Sequence, residues 1–300
     1  MPDETPSVPI LYVSDLTYSD FDPADLFDLA YLLRSPAHEV KGVCFTRPEG
    51  DGARVLSELA ARANIPAPPL VAGSDLTDFL KNASESLNLV VVGGYEAVVA
   101  TLKTDHAVFR QKVARLFVVG GHLNAYGANG TERLPTDPRL RQRHPERFAS
   151  TGDERAQDKA ALGQLLVCGE GVIWLARDIA LWRYDAPGVL EDGGPLSTFV
   201  LRELFWQHLQ SPDADRYEAA ETPVLLSSLP AFLLAVEPDP FAWMRLFRVL
   251  AARVATNEAG DITDFATRTD APNLYALIAI DGQALGKLLT ANLRDRPLTV

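Results

Sequence analysis

The sequence predicts an α/β fold in which an open, mostly parallel, doubly wound sheet carries helices on both faces. Short apolar runs alternate along the chain with segments whose apolar residues recur at helical spacing, as in doubly wound proteins. Runs such as Ile10 to Val13 are apolar at consecutive positions, which suits strands that helices cover on each side. With 300 residues, 47% of them hydrophobic, the chain is expected to form a single domain over residues 1–300.

Strand and helix alternate in the first half of the chain. The predicted strands are Ile10 to Val13, Glu39 to Thr46, Leu70 to Ala72, Leu87 to Val92, and a run from Leu116 that ends at Gly120-Gly121. A helix from Asp25 is predicted by apolar residues at Leu26, Leu29, Ala30 and Leu33, and a second helix runs from about Gly52 to Ala63.

The second half contains the longest stretch without periodicity, Tyr126 to Gly152, which is rich in Gly, Pro, Arg and Asn. Loops of this length inside a compact domain are usually functional or mobile. Further along, the pattern predicts a strand over Gly171 to Arg177 and three apolar helices, Leu196 to Leu209, Leu225 to Val236 and Pro240 to Val254. A final strand, Leu274 to Asp281, and a helix, Ala284 to Leu293, complete the chain.

Charge and cysteine content exclude several kinds of protein. A net charge of −12 and a pI near 4.9 argue against nonspecific binding of nucleic acid. Cys44 and Cys168 lie in apolar contexts without CxxC spacing, as expected of buried free thiols in a reducing compartment. Residues Met1 to Pro6 show neither a basic region nor a long apolar region, and no apolar run reaches membrane-spanning length, so we expect a cytoplasmic protein that does not bind membranes.

The loop between the first strand and the first helix is strongly acidic. Five carboxylates lie within fourteen residues of this loop and of the helix start that follows it, namely Asp15, Asp20, Asp22, Asp25 and Asp28. Such like charges repel one another unless a cation lies among them, and oxygen ligands suit a hard divalent ion. The loop also follows a strand, at the sheet edge where α/β proteins bind ligands. In the alternative interpretation, these carboxylates only complement the positive end of the helix dipole.

This stretch resembles the N-terminal signature of the inosine-uridine-preferring nucleoside hydrolases, a strand ending in Asp-x-Asp-Pro-Gly-x-Asp-Asp that leads into an apolar helix. Here Asp15 closes the strand, Asp25 precedes the helix, and the distance from Asp25 to the Ser35-Pro36 turn is that of the family. The resemblance implies metal-assisted hydrolysis of the N-glycosidic bond of a ribosyl compound. Asp15 would be the catalytic base. The expected ion is Ca²⁺, held by Asp15, Asp25, Asp22 or Asp20, and the main-chain carbonyl of Val119, which precedes Gly120-Gly121.

The resemblance extends loosely from about residue 9 to residue 293, and it suggests further site residues. His122, directly after Gly121, could protonate the leaving base, although a histidine in a strand-exit loop is more often structural. Asn124 and Asn129 could bind ribose hydroxyls, although loop asparagines often only form turns. Arg147 stands where the family has a ribose ligand.

The chain also departs from the family pattern. Val13 replaces the first aspartate of the signature, and Ala24 replaces one member of its Asp-Asp pair. The family has His-Asp-Pro at the start of a later helix, where this chain has Ser227 and Ser228. A hydroxyl is a poor proton donor and brings no full negative charge to a cation. The alternative is therefore a non-catalytic ribosyl-binding or regulatory protein on the same fold, and the sequence leaves a homo-oligomer open.

The long loop carries several arginines, including Arg133, Arg139, Arg141, Arg143 and Arg147. Guanidinium groups near the pocket would hold a phosphate or carboxylate on the ligand. The simpler interpretation is that these arginines balance an acidic surface. The sequence therefore raises, without deciding, the hypothesis of an anionic ligand such as a nucleotide.

Overall fold

The computed structural model describes residues 7–14, 23–46, 52–121, 156–169, 171–180, 182–186, 190, 193–210, 224–237, 239–260, 262–267 and 270–294. The strands in these ranges are β1 (Val8–Ser14), β2 (His38–Phe45), β3 (Leu70–Ala72), β4 (Leu87–Val91), β5 (Val113–Val119), β6 (Val172–Leu175), β7 (Trp182–Tyr184), β8 (Val224–Leu226), β9 (Phe247–Thr256), β10 (Ile262–Thr267) and β11 (Leu274–Ile280).

The helices of the described ranges connect and cover these strands. They are α1 (Pro23–Arg34), α2 (Gly52–Ala63), α3 (Leu76–Asn82), α4 (Tyr95–Thr104), α5 (His106–Lys112), α6 (Ala156–Leu166), α7 (Arg177–Ala180), α8 (Pro195–Gln210), α9 (Leu229–Val236) and α10 (Gly282–Leu293). Short 3₁₀ turns occur at Gly73–Asp75 and Pro240–Trp243. No helix in the described part of the chain has both the length and the hydropathy that crossing a membrane requires.

Nine of the strands form one sheet in the order β10-β9-β11-β6-β5-β4-β1-β2-β3. The strands from β11 to β3 run parallel to their neighbours, whereas β9 pairs antiparallel with both β10 and β11. A separate antiparallel pair is formed by β7 and β8. The prediction of a mostly parallel α/β sheet is confirmed, with an antiparallel edge that the sequence did not indicate.

Helices pack in two groups, as a doubly wound sheet requires. Helix α1 contacts α2, α8 and α10, while α4 contacts α3, α5 and α6. Every residue of α1 from Ala24 to Leu33 is buried, because the helix lies beneath other helices as well as against the core. A helix surrounded in this way is apolar on nearly all sides, which makes its two buried aspartates, Asp25 and Asp28, unusual.

Two predictions in the second half were wrong. The segment Leu225 to Val236 is not one helix, because Val224–Leu226 forms β8 and α9 begins only at Leu229. The segment Pro240 to Val254 is not a helix either, since a 3₁₀ turn is followed by β9. Apolar residues at Phe247, Leu250 and Val254 have helical spacing, but pairing with β10 and β11 makes this segment a strand.

Candidate functional site

The strand order reverses at β1, so the carboxyl end of β1 is the topological switch point of the sheet. Strands β2 and β3 lie on one side of β1, and β4, β5 and β6 lie on the other. Hydrogen bonds join the carboxyl end of β1 to the ends of β4 and β2. The Val92 amide, after β4, donates to the Val13 carbonyl (2.9 Å), and the Thr46 amide, after β2, donates to the Ser14 carbonyl (3.2 Å). Open α/β sheets bind their ligands at such a switch point.

Asp25 lies at this switch point, in the first turn of α1. Its side chain is only 4% exposed. The Ser14 hydroxyl donates to Asp25 Oδ2 at 2.6 Å, and the Tyr12 hydroxyl approaches Asp25 Oδ1 at 3.3 Å. Tyr12 and Ser14 are alternate residues of β1, so both side chains project from the same face of the strand, toward α1. The last residues of β1 therefore hold one carboxylate of the acidic loop in place.

The Tyr12 hydroxyl also reaches a second carboxylate. It donates to Asp28 Oδ2 at 3.0 Å, and Asp28 is 5% exposed. Burial, followed by the charges of Asp25 and Asp28, raises the pKa of Tyr12 well above its usual value. The phenol therefore keeps its proton at neutral pH and serves as a hydrogen-bond donor between the two aspartates.

The main-chain carbonyls at the end of β5 are engaged as well. Tyr95, the first residue of α4, donates its hydroxyl to the Val119 carbonyl at 2.6 Å. The Gly120 carbonyl accepts from Trp174 Nε1 at 2.8 Å, and the Gly121 carbonyl accepts from the Arg177 amide at 2.8 Å. Gly120 and Gly121 both have positive φ, 154° and 69°. These contacts fix the backbone where β5 leaves the sheet.

The turn between β4 and α4 packs against Thr46, which directly follows β2. Gly94 has φ 63°, and a Cβ at this position would lie 2.0 Å from Thr46 Cγ2. Only glycine combines this left-handed conformation with so close an approach. The turn thus places Tyr95 at the carboxyl edge, where its hydroxyl reaches the end of β5.

Helix α9 packs against the starts of two strands. The Phe232 carbonyl bonds His38 Nε2 (2.9 Å) and the Leu234 carbonyl bonds Arg115 Nη1 (3.0 Å). His38 and Arg115 lie near the starts of β2 and β5. Ser227 and Ser228, which precede α9, are 7% and 1% exposed. Ser228 is the N-cap residue, but its side chain makes no capping hydrogen bond.

The structure describes two of the predicted site residues. Asp25 and Val119 both lie at the carboxyl edge, on elements separated by β4, which pairs with β1 and with β5. The others fall outside the described residues, namely Asp15, Asp20, Asp22, His122, Asn124, Asn129 and Arg147. Within the described ranges, no group of three or more His, Cys, Asp or Glu side chains is arranged to hold a metal ion. The position of Asp25 in the first turn of α1 is also what the helix-dipole interpretation expects.

Sequence reasoning missed Tyr12, Ser14 and Tyr95. A signal for the first two was present, because a tyrosine and a serine at alternate positions interrupt an otherwise apolar buried strand. The signal for Tyr95 was weaker. Tyr95 is a single tyrosine at the start of a helix, and its partner, the Val119 carbonyl, lies at the end of β5, 24 residues later.

The arrangement of strands and helices resembles that of several solved structures. An inosine-guanosine nucleoside hydrolase superimposes with a TM-score of 0.63 over 95% of this chain and 98% of its own, at 10% identity. A purine-preferring ribonucleoside hydrolase from Gardnerella vaginalis gives a TM-score of 0.61 over 95% and 98% of the two chains, at 13% identity. An inosine-uridine preferring nucleoside hydrolase from Bacillus anthracis gives 0.52 over 95% and 99%, at 11% identity.

The chain has the nucleoside hydrolase fold. No family model and no curated protein sequence matches it. Likeness at 10–13% identity establishes the arrangement of elements, whereas activity depends on individual site residues. The candidate site residues that the structure describes on this fold are Asp25 and Val119, together with the hydroxyl groups of Ser14, Tyr12 and Tyr95 that contact them.

Proposed function

We propose that this protein binds a ribosyl compound at the carboxyl edge between β1 and β5 and hydrolyses its N-glycosidic bond with the help of a divalent cation. The observation that carries the proposal is the buried Asp25 carboxylate at the switch point, held by Ser14 and Tyr12. A carboxylate in this position is costly to bury. Its presence at the edge where open α/β sheets bind ligands supports a role in binding.

The donor set of the described residues is compatible with Ca²⁺. Asp25 offers carboxylate oxygens and Val119 a carbonyl oxygen, both of which calcium prefers. Each carboxylate oxygen and each carbonyl has two lone pairs, so an oxygen can accept a hydrogen bond, as from Ser14 or Tyr95, and also bind a cation. Hydrogen bonds of this kind commonly orient metal ligands. Asp15 and Asp22 would complete the set from the segment between β1 and α1.

A bound cation would lower the pKa of a water molecule. In the proposed reaction, Asp15, which directly follows Ser14 in sequence, accepts a proton from the attacking water. His122, which directly follows Gly121, donates a proton to the leaving base. Asn124, Asn129 and Arg147 bind the ribose or its substituents. These roles rest on the sequence resemblance.

Ser227 and Ser228 favour a second candidate function. They precede α9 and are buried, in the place where the resemblance implies a histidine and a metal-binding aspartate. Serine hydroxyls can bind ribose hydroxyls, but they are weak acids and carry no charge. A protein that binds a ribosyl ligand without turnover is therefore the alternative.

Two measurements on the purified protein separate these candidates. Calorimetry should show calcium binding to the wild type and none to the Asp25→Ala variant. A reducing-sugar assay with inosine and uridine should show calcium-dependent release of ribose that Asp25→Ala abolishes. Binding of ribose without any release of sugar would favour the non-catalytic alternative. Equal calcium binding by wild type and variant would overturn the proposed cation site.

A further inference from the structure

Two consecutive glycines follow the proposed calcium ligand Val119 at the end of β5. Gly120 and Gly121 both have positive φ, 154° and 69°, and without Cβ atoms their backbone has many conformations open to it. A carbonyl that binds a cation needs a fixed direction, because calcium affinity depends on the rigidity of the site. The direction of the Val119 carbonyl therefore has to be set by contacts with neighbouring elements.

The peptide between Val119 and Gly120 is held on both of its sides. Its N–H, on Gly120, donates to the Leu175 carbonyl of β6 at 3.1 Å. Its carbonyl, on Val119, accepts the Tyr95 hydroxyl at 2.6 Å. Because the peptide is trans, its N–H and C=O groups point in opposite directions. The Val119 carbonyl therefore points away from β6, to the side of the sheet on which β4 and then β1 lie.

The next peptide of the chain is held by Trp174. The indole N–H of Trp174 donates to the Gly120 carbonyl at 2.8 Å, and the side chain is completely buried. Its ring meets Phe265 of β10 at a centroid distance of 6.0 Å and an interplanar angle of 74°. The ring also packs beside Gly121, since a Cβ on that glycine would lie 3.7 Å from Trp174 Cζ2. A ring enclosed in this way keeps its N–H directed at the Gly120 carbonyl.

We propose that Trp174 is a positioning residue that acts through the backbone of Gly120 and Gly121 to aim the Val119 carbonyl at the cation. With the indole N–H in place, the Gly120 amide stays on β6 and the Val119 carbonyl stays directed toward the β1 side, where Asp25 lies. Without the indole N–H, the two glycines rotate more freely, and the carbonyl spends less time in the direction that lets it share a cation with Asp25. The inference deepens the proposed function and rests on its cation site.

The test is calcium calorimetry on the full chain with two variants at position 174. Trp174→Phe keeps an aromatic ring and removes the N–H, and we expect its calcium affinity to fall about tenfold, the lower end of the range for groups that orient metal ligands. Because phenylalanine is smaller than tryptophan, this variant also leaves a cavity. The second variant carries 3-benzothienylalanine at position 174, in which a sulfur atom replaces only the N–H of the ring. It should show a similar loss of affinity.

Trp243→Phe is the matched control. The indole N–H of Trp243 also donates to a main-chain carbonyl, that of Glu237 at 3.0 Å. This bond joins the 3₁₀ turn Pro240–Trp243 to the residue that follows α9, and not β5 to β6. The control should keep the calcium affinity of the wild type. Thermal unfolding without calcium, measured for each variant, identifies a calorimetry temperature at which all of them are folded.

The outcomes distinguish this inference from the proposed function. If the wild type binds calcium and both variants at position 174 bind it equally well, the positioning role is wrong and the cation site stands. A loss confined to Trp174→Phe would be an effect of the cavity and would also contradict the role. If the wild type binds no calcium, the cation site fails, and the positioning role fails with it. If Trp174→Phe does not fold, the 3-benzothienylalanine variant alone decides, because unchanged calcium affinity there would exclude any action of the indole N–H.

Discussion

The Tyr95 hydroxyl donates a 2.6 Å hydrogen bond to the Val119 carbonyl and so ties the start of α4 to the end of β5. Both groups are buried. Removing the hydroxyl in Tyr95→Phe leaves a buried carbonyl with one partner fewer. We expect a loss of about 1–3 kcal/mol in the free energy of unfolding, measured by urea denaturation. An unchanged midpoint would show that this contact does not stabilise the carboxyl edge.

Gly94 should tolerate no side chain. Gly94→Ala places a Cβ 2.0 Å from Thr46 Cγ2 in a backbone of φ 63°. Gly169→Ala is the matched control, since Gly169 has φ 74° but open space around its Cβ position. The control should cost about 1–2 kcal/mol for the left-handed conformation alone, and Gly94→Ala should cost clearly more. Equal losses in thermal unfolding would show that the contact with Thr46 relaxes freely.

Stability should fall as the pH is lowered through the range in which free histidine titrates. Burial lowers the pKa of His38, outweighing the opposing effect of its hydrogen bond to the Phe232 carbonyl. The neutral ring can donate from Nε2 to that carbonyl and accept from Ser35 Oγ at Nδ1, 2.8 Å away. Below a pH of about 6.5 the unfolded chain binds the proton first, so the folded state loses stability.

His38→Gln isolates this histidine from the carboxylates that also titrate in acid. Its amide can still donate to the Phe232 carbonyl, but it does not titrate. Urea denaturation at pH 7.5 and pH 5.5 should show a larger loss of stability for the wild type than for His38→Gln. Parallel losses in the two proteins would mean that His38 is not responsible.

Substrates whose leaving group needs no proton should react best. Ser227 and Ser228 stand at the start of α9, where they can supply hydrogen bonds but no strong acid. With His122 as the proposed acid and none at the start of α9, we expect inosine to be hydrolysed more slowly than 4-nitrophenyl riboside, because a positioned acid typically contributes about 10²–10⁴ in rate. Turnover of inosine near 10 per second, about the median for enzymes, would show that an effective acid is present.

The sequence predicted the first half of the fold well because local patterns decide it. The buried run of β1, the helical spacing of α1 and the Gly52–Ala63 helix each carry their own signal. The segment Phe247–Thr256 was predicted wrongly because its helical spacing is outweighed by pairing with strands later in the chain. The separate β7 and β8 strands depend on a similar distant pairing.

The candidate site was predicted only in part. The positions of Asp25 and Val119 follow from where a helix begins and a strand ends, which sequence patterns indicate. The contacts of these groups with Tyr12, Ser14 and Tyr95 depend on which side chains meet across the interface between sheet and helix. Residue spacing along one chain does not encode such distances. The roles of Asp15, Asp22, His122, Asn124, Asn129 and Arg147 stay predictions.

A crystal structure with calcium and ribose tests the central claim most directly. The account predicts a calcium ion bonded to the Asp25 carboxylate and the Val119 carbonyl, with ribose hydroxyls against it at the carboxyl edge between β1 and β5. The same crystals of Asp25→Ala should contain neither ion nor sugar at that edge. Calcium and ribose bound elsewhere on the protein, with Asp25 contacting only Ser14, Tyr12 and other protein groups, would contradict the account.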